Sequence, residues 1–97
     1  MKIKEKSGNI VDVYAIYWGS GGGTWFYGMP SNYEGLIAYD SLDVEIFDPS
    51  WSEQAIFHND GVFSGIFHSA LMDGDVLNGL LEMDSGAYKK FIALIGG

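Results

Sequence analysis

The sequence predicts an α+β domain: an antiparallel sheet of four to five strands from the first half, with two to three C-terminal helices packed on one face. Three observations carry this. Short strand-like runs separated by turn residues fill positions 10 to 47, apolar residues recur at helical spacing beyond position 59, and no repeat or linker divides the chain. With 97 residues, 47% of them hydrophobic, there is material for one core and not for two, so a single domain over residues 1 to 97 is expected.

Each element has its own signal. In residues 10 to 18 one alternating face is Val11, Val13, Ala15 and Tyr17, and the other sets Asp12 among Ile10, Tyr14, Ile16 and Trp18. This reads as a central strand covered on both sides. The glycine-rich run at 19 to 23 breaks the chain, and the aromatic run at 24 to 27 restarts it, which predicts a hairpin. Runs at 36 to 39 and 43 to 47, around Asp40, Ser41 and Leu42, predict a second hairpin, closed by Asp48, Pro49 and Ser50. In its second strand Val44 and Ile46 point one way, while Asp43, Glu45 and Phe47 point the other. Residues 54 to 58 suit a further strand.

From Asn59 the period changes. Val62, Phe63, Ile66, Phe67, Ala70 and Leu71 predict a helix, with Asn59 or Asp60 as N-cap and Gly74 just past its end. Asp75 is placed to cap a short helix through Val76, Leu77, Leu80 and Leu81 that closes near Gly86. Residues 85 to 95 suit a helix through Tyr88, Phe91, Ile92 and Ile95, although the run at 91 to 95 also suits a buried strand; the helix is the favoured reading.

Composition excludes several classes of function. No cysteine is present, which removes disulfides, thiolate nucleophiles and cysteine-based zinc sites. The net charge is −8, with 13 acidic residues against five lysines and no arginine. The lysines sit at the two ends, Lys2, Lys4, Lys6, Lys89 and Lys90, so the twelve carboxylates between Ser7 and Tyr88 have no cation among them in sequence. Such a field repels phosphate backbones and argues against direct nucleic-acid binding. It favours encounter with a basic protein partner. No apolar run approaches the roughly 20 residues that cross a bilayer, and Asp12 interrupts the one stretch that resembles a signal peptide. No membrane association and a cytoplasmic location are expected, with a homo-oligomer left open.

Catalytic motifs are weak. The glycine run lacks the lysine and hydroxyl residue of a phosphate-binding loop and leads into a strand instead of a helix. His58 and His68, with Asp60, match no standard zinc spacing. Asp73, Asp75 and Asn78 resemble the start of a calcium loop, but Asn78 stands where glycine is needed. Asp43 and Glu45 on one strand face permit a glycosidase pair on paper, with little room for a deep cleft in so small a domain. No serine sits on a strained turn beside a histidine. No cofactor, no metal and no enzymatic activity are expected.

The strongest functional signal is the stretch from 34 to 53. Glu34, Asp40, Asp43, Glu45, Asp48 and Glu53 are interleaved with Tyr33, Tyr39, Phe47 and Trp51, without a cation. Carboxylates beside rigid aromatic anchors suit a protein interface, in which the aromatics supply contact area and the charges set orientation and on-rate. By its length, lack of cysteine, acidity and this stretch, the chain resembles the small acidic immunity proteins with which bacteria neutralise toxins, including the partners of contact-dependent inhibition nucleases. That resemblance implies an inhibitor whose carboxylates occupy the basic groove of a toxin such as a nuclease. The alternative is an acidic oligomerisation or small-ligand-binding module without catalytic activity, presenting Trp18, Trp25 and Tyr27 as an apolar surface.

Overall fold

A computed structural model describes residues 1–19, 21–51, 54–59, 61 and 63–96. The fold is α+β. Strands β1 (Lys2–Glu5), β2 (Ile10–Gly19), β3 (Thr24–Met29), β4 (Ile37–Asp40), β5 (Val44–Asp48), β6 (Ala55–Asn59) and β7 (Phe63–His68) form one antiparallel sheet, followed by helices α1 (Val76–Leu81) and α2 (Ser85–Gly96). The seven strands exceed the four to five expected, because β1 and β7 join the sheet, while β6 is the further strand expected at residues 54 to 58.

Strand β2 is the hub. β3 covers one of its edges from Asp12 to Trp18. The other edge is shared, with β1 alongside Ile10, Val11 and Asp12, and β7 alongside the residues from Ala15 to Gly19. The sheet therefore branches, running β4-β3-β2-β1-β5 along one path and β2-β7-β6 along the other.

The first path cannot be flat. β4 and β5 lie at its opposite ends yet are joined only by a 3-10 turn, Ser41–Asp43. Strands ~4.8 Å apart in a flat sheet would separate them by roughly 19 Å, whereas the four Cα steps from Asp40 to Val44 reach at most about 15 Å. The five strands must curl into a partly open barrel. Ile3, Val11, Val13 and Phe26 are buried inside it, with Ile16, Tyr39, Val44 and Trp51 packed around them.

This geometry replaces the expected hairpin between residues 36 to 39 and 43 to 47. Their alternation is that of strands, but β4 pairs with β3 and β5 pairs with β1, the lysine-rich start of the chain. The 3-10 turn, capped by the Asp40 carboxylate accepting from the Leu42 amide at 3.0 Å, sends the chain across the barrel mouth instead of back along β4.

A bulge in β2 corrects a second expectation. Val13 pairs with Gly28 and the next partner, Tyr27, faces Ala15, so Tyr14 is an extra residue. Val11, Val13 and Ile16 point into the barrel, and Ala15 and Tyr17 pack on the opposite side of the sheet with the helical layer. The face Val11, Val13, Ala15, Tyr17 is thus divided between two cores.

The helix expected from Asn59 or Asp60 to Leu71 is instead a strand followed by a 3-10 turn, Ser69–Met72. Phe63 and Phe67 are four apart, which fits one helix face, but residues 63, 65 and 67 also share one strand face, and the unfilled edge of β2 accepts that strand. Asn59 accepts from the Gly61 amide at 2.7 Å in the turn between β6 and β7, and Gly61 takes a left-handed φ of +90°. Asp60 and Val62 lie outside the described residues.

The helices form as expected near 76 and 85, but Asp75, at the N-cap position of α1, makes no side-chain cap bond. Ala70, Leu71, Val76, Leu80 and Phe91 bury against Ala15, Leu36 and Phe67 of the sheet side. Phe91 is fully buried, edge-on to Tyr14 at 5.0 Å and to His68 at 6.2 Å. α1 and α2 approach closely at Gly79, where a methyl group would collide with the Ala87 side chain. No helix among the described residues is long and apolar enough to cross a membrane.

Candidate functional site

Beyond the cover of the two helices, the sheet side that carries Ala15 continues as an open aromatic groove of about 370 Å³. Tyr17 from β2, Trp25 and Tyr27 from β3, His58 from β6, and Phe63 and Phe67 from β7 line it, with Met72 and Leu77 closing the helical side. Pairing explains the convergence. Tyr17 faces Trp25 and Gly65, Ala15 faces Tyr27 and Phe67, and His58 faces Gly65, so these residues project from one sheet face. The bulge at Tyr14 sets that phase.

Gly65 leaves the space that the aromatic rings fill. A methyl group there would stand 2.8 Å from Tyr17 Cβ, so only glycine lets β7 lie this close beneath Tyr17. The Tyr17 and Tyr27 rings lie 4.5 Å apart and tilted by 31°. Burial first, and the neighbouring Tyr27 hydroxyl second, raise the Tyr17 pKa far above the ordinary phenol value, which keeps the hydroxyl protonated. Phe63 stands nearly perpendicular to Tyr17 at 5.8 Å and 82°, and His58 meets Phe67 edge-on at 6.0 Å. Two near-parallel rings and one perpendicular ring make a corner, with Trp25 and Phe63 at its exposed rim, 36% and 46% accessible. The glycine loop adjoins this rim: a Cβ at Gly23 would lie 3.9 Å from Trp25 Nε1.

The residues expected to bind a partner are not gathered in one place. Tyr39 and Trp51 pack around the barrel core. The Tyr39 hydroxyl pKa is pushed up to about 12, mainly by burial and then by the nearby Glu5 carboxylate. Trp51 Nε1 is buried with no hydrogen-bond partner among the described residues. Tyr33 and Glu34 belong to the loop before β4, which is held to α1 by the Leu36 amide donating to the Leu80 carbonyl at 3.1 Å. Glu53 lies outside the described residues. Asp40 caps the 3-10 turn. Asp43, Glu45, Phe47 and Asp48 do share one strip on β5 and the turn before it.

That strip is not free of cations in space. Register sets Lys2 against Asp48 and Lys4 against Glu45, and Lys6 Nζ lies 3.9 Å from Asp43. Lys2 also binds Asp12, which raises its pKa through the hydrogen bond and the charge. Ser50 donates from its hydroxyl and amide to Asp48, at 2.7 and 3.0 Å, and holds that carboxyl below its ordinary pKa. The remaining described acids, including Asp73, Asp75, Glu82 and Asp84, lie on the helical side, where Lys90 approaches Asp73 at 3.7 Å. Apolar groups punctuate the strip, with Leu42 87% and Phe47 59% exposed, while Ile46 lies on the opposite face as the partner of Ile3.

Of the groove residues, Trp25 and Tyr27 were accessible to sequence reasoning as an apolar surface. Phe63 and Phe67 were assigned to a helix, and His58 had no assigned face. Among the described residues no three histidine or acidic side chains converge to hold a metal ion. No family model, curated protein or solved structure matches the chain.

Proposed function

We propose that this chain is a non-catalytic binding module whose recognition site is the aromatic groove between β2, β3, β6, β7 and α1. The observation that carries this is the convergence of Tyr17, Trp25, Tyr27, Phe63 and Phe67 on one open cavity large enough for a small ligand or a single side chain. Apolar walls with a few polar groups, here the tyrosine hydroxyls, the Trp25 indole N–H and His58, are the usual composition of a binding pocket. Among the described residues no hydroxyl of the lining is hydrogen-bonded to His58 as a nucleophile is to its base, so the reading is one of binding and not turnover. Titration with the neutral dye N-phenyl-1-naphthylamine tests this. Saturable fluorescence enhancement that falls about tenfold in affinity, roughly 1.4 kcal/mol, in Trp25→Ala and is unchanged in Phe47→Ala is expected. Equal dye binding by both variants would overturn it.

A second reading is favoured by Leu42 and Phe47, exposed beside Asp43 and Glu45. This strip has the composition of a protein interface for a basic partner, in keeping with a toxin-neutralising inhibitor. The lysines of β1 offset part of its charge, so the apolar groups must supply more of the affinity than the charge count suggests. Capture of a basic nuclease domain that weakens with salt and is lost in the double variant Asp43→Lys, Glu45→Lys would support it; capture insensitive to both would sink it.

A further inference from the structure

We infer that the outer edge of β6 pairs with the same edge of a second copy of this chain, across a two-fold axis at Phe57. The inference stands apart from the groove and does not need it. Among the described residues β4, β5 and β6 each have a strand neighbour on one side only. Such an edge presents unpaired N–H and C=O groups, and proteins commonly blunt it with charge, proline or a bulge. β4 ends at Asp40, and β5 carries Glu45 and Asp48. β6 contains no acid, lysine or proline and runs against β7 without a register shift.

One bond fixes the phase of this edge. The Ser69 amide donates to the Gln54 carbonyl at 2.7 Å, one step beyond the pairing of Ala55 with His68. Hydrogen-bonded and non-hydrogen-bonded pairs alternate along an antiparallel ladder. Ile56 and His58 therefore direct their backbone groups at Phe67 and Gly65, while Ala55, Phe57 and Asn59 direct theirs outward. This set is self-complementary in an antiparallel sense: Phe57 meets the Phe57 of the second copy, and Ala55 meets its Asn59.

The side chains select the same occupant. Phe57 is 65% exposed, more than any other phenylalanine among the described residues, and it ends the cross-strand row Ile16, Ile66, Phe57. Pairing continues that row through the second Phe57 into the second Ile66, so ring meets ring in place of water. In a chain of net charge −8 this strand bears no carboxylate, which lets two copies meet without acids in the ladder and gives a basic partner nothing to read. The exposed parts of Ile56, Phe57, Ile66 and Trp18, with the strand edge, come to roughly 400 Å² on each copy, below the ~800 Å² of a standard interface. A weak dimer that forms with rising concentration is the expected result.

Sedimentation equilibrium of the full chain from about 10 μM to about 1 mM, with amide hydrogen exchange followed by NMR at both limits, tests this. A monomer–dimer equilibrium is expected that tightens between ~20 mM and ~0.5 M salt, because the two copies repel each other. The amides of Ala55, Phe57 and Asn59 should gain protection as the dimer forms, while those of Ile56 and His58 are protected at every concentration. Phe57→Lys, which sets like charges across the axis, should weaken association about tenfold or more, and Ile92→Lys on α2 should leave it unchanged. A chain that stays monomeric to about 1 mM would overturn the inference and leave the edge to a strand of another protein. A dimer in which Ala55, Phe57 and Asn59 remain unprotected, or that Phe57→Lys does not weaken, would overturn it equally.

Discussion

Gly65 lies directly beneath Tyr17: the two are register partners of β7 and β2, and a side chain on Gly65 would strike both the Tyr17 side chain and the Ile16 carbonyl. The collision is with backbone as well as side chain, so no rotamer relieves it. Gly65→Ala should destabilise the fold by about 1–3 kcal/mol. In urea the midpoint should fall with the slope unchanged, and dye binding in the groove should weaken because Tyr17 is pushed outward. A midpoint equal to that of the parent protein would show that the close approach is absent.

His68 couples the sheet to the helical layer and should make stability depend on pH. Its Nδ1 accepts from the Ala70 amide at 3.1 Å, which requires that nitrogen to be unprotonated, and burial lowers its pKa below the ordinary 6.5. The unfolded chain therefore takes up a proton at a higher pH than the native chain. The stabilisation is fully present above the unfolded pKa and is lost as pH falls through the lower, folded value. Between pH 7 and the onset of carboxylate titration, the urea midpoint should decline in the parent and decline less in His68→Asn, which retains a capping acceptor. Parallel curves would refute the coupling.

Two phenylalanines separate core from surface. Phe91 is fully buried between Tyr14 and His68, and Phe91→Ala should cost about 3–5 kcal/mol. Phe47 is 59% exposed on β5, and Phe47→Ala should change stability by no more than ~0.5 kcal/mol. Chemical denaturation of both variants checks the assignment. A loss in Phe47→Ala comparable to that in Phe91→Ala would mean that β5 packs more tightly than described.

The Lys2 and Asp12 ion pair should contribute little. Both side chains are about half exposed, at 45% and 50%. Replacing Lys2 by Met should cost less than about 1 kcal/mol at low salt, and the difference should vanish near 1 M salt, where screening acts within ~3 Å. A cost that persists in high salt would point to packing of the lysine stem instead of its charge.

Legibility in the sequence followed the range of the interactions. The hairpin through the glycine loop, α1 and α2 were readable because each is specified by residues close along the chain. The partner of β5 was not, since Lys2 to Glu5 gives no signal that it will lie beside Val44 to Asp48, and that contact alone sets lysines against the acidic strip. Phe63 and Phe67 misled because a spacing of four satisfies both a helix face and a strand face, and only the vacant edge of β2 decides between them. The groove inherited that ambiguity. Trp25 and Tyr27 were recognisable as apolar surface, but their meeting with Phe63 and Phe67 depends on a pairing that no local pattern encodes.

The single added position at Tyr14 determines where this chain can change in length. Were Tyr14 paired as an ordinary strand residue, Ala15 and Tyr17 would turn inward and the fillings of the two cores would exchange; deleting it instead joins Val13 to Ala15 and keeps both faces, at the cost of its edge-on contact with Phe91. Insertions are tolerable instead at the tips of the two hairpins, since open space surrounds Gly21, Gly22 and Gly61. A fusion or epitope placed at either tip should leave both interiors intact, whereas a one-residue insertion or deletion between Ala15 and Trp18, where β2 is paired on both edges, should abolish folding.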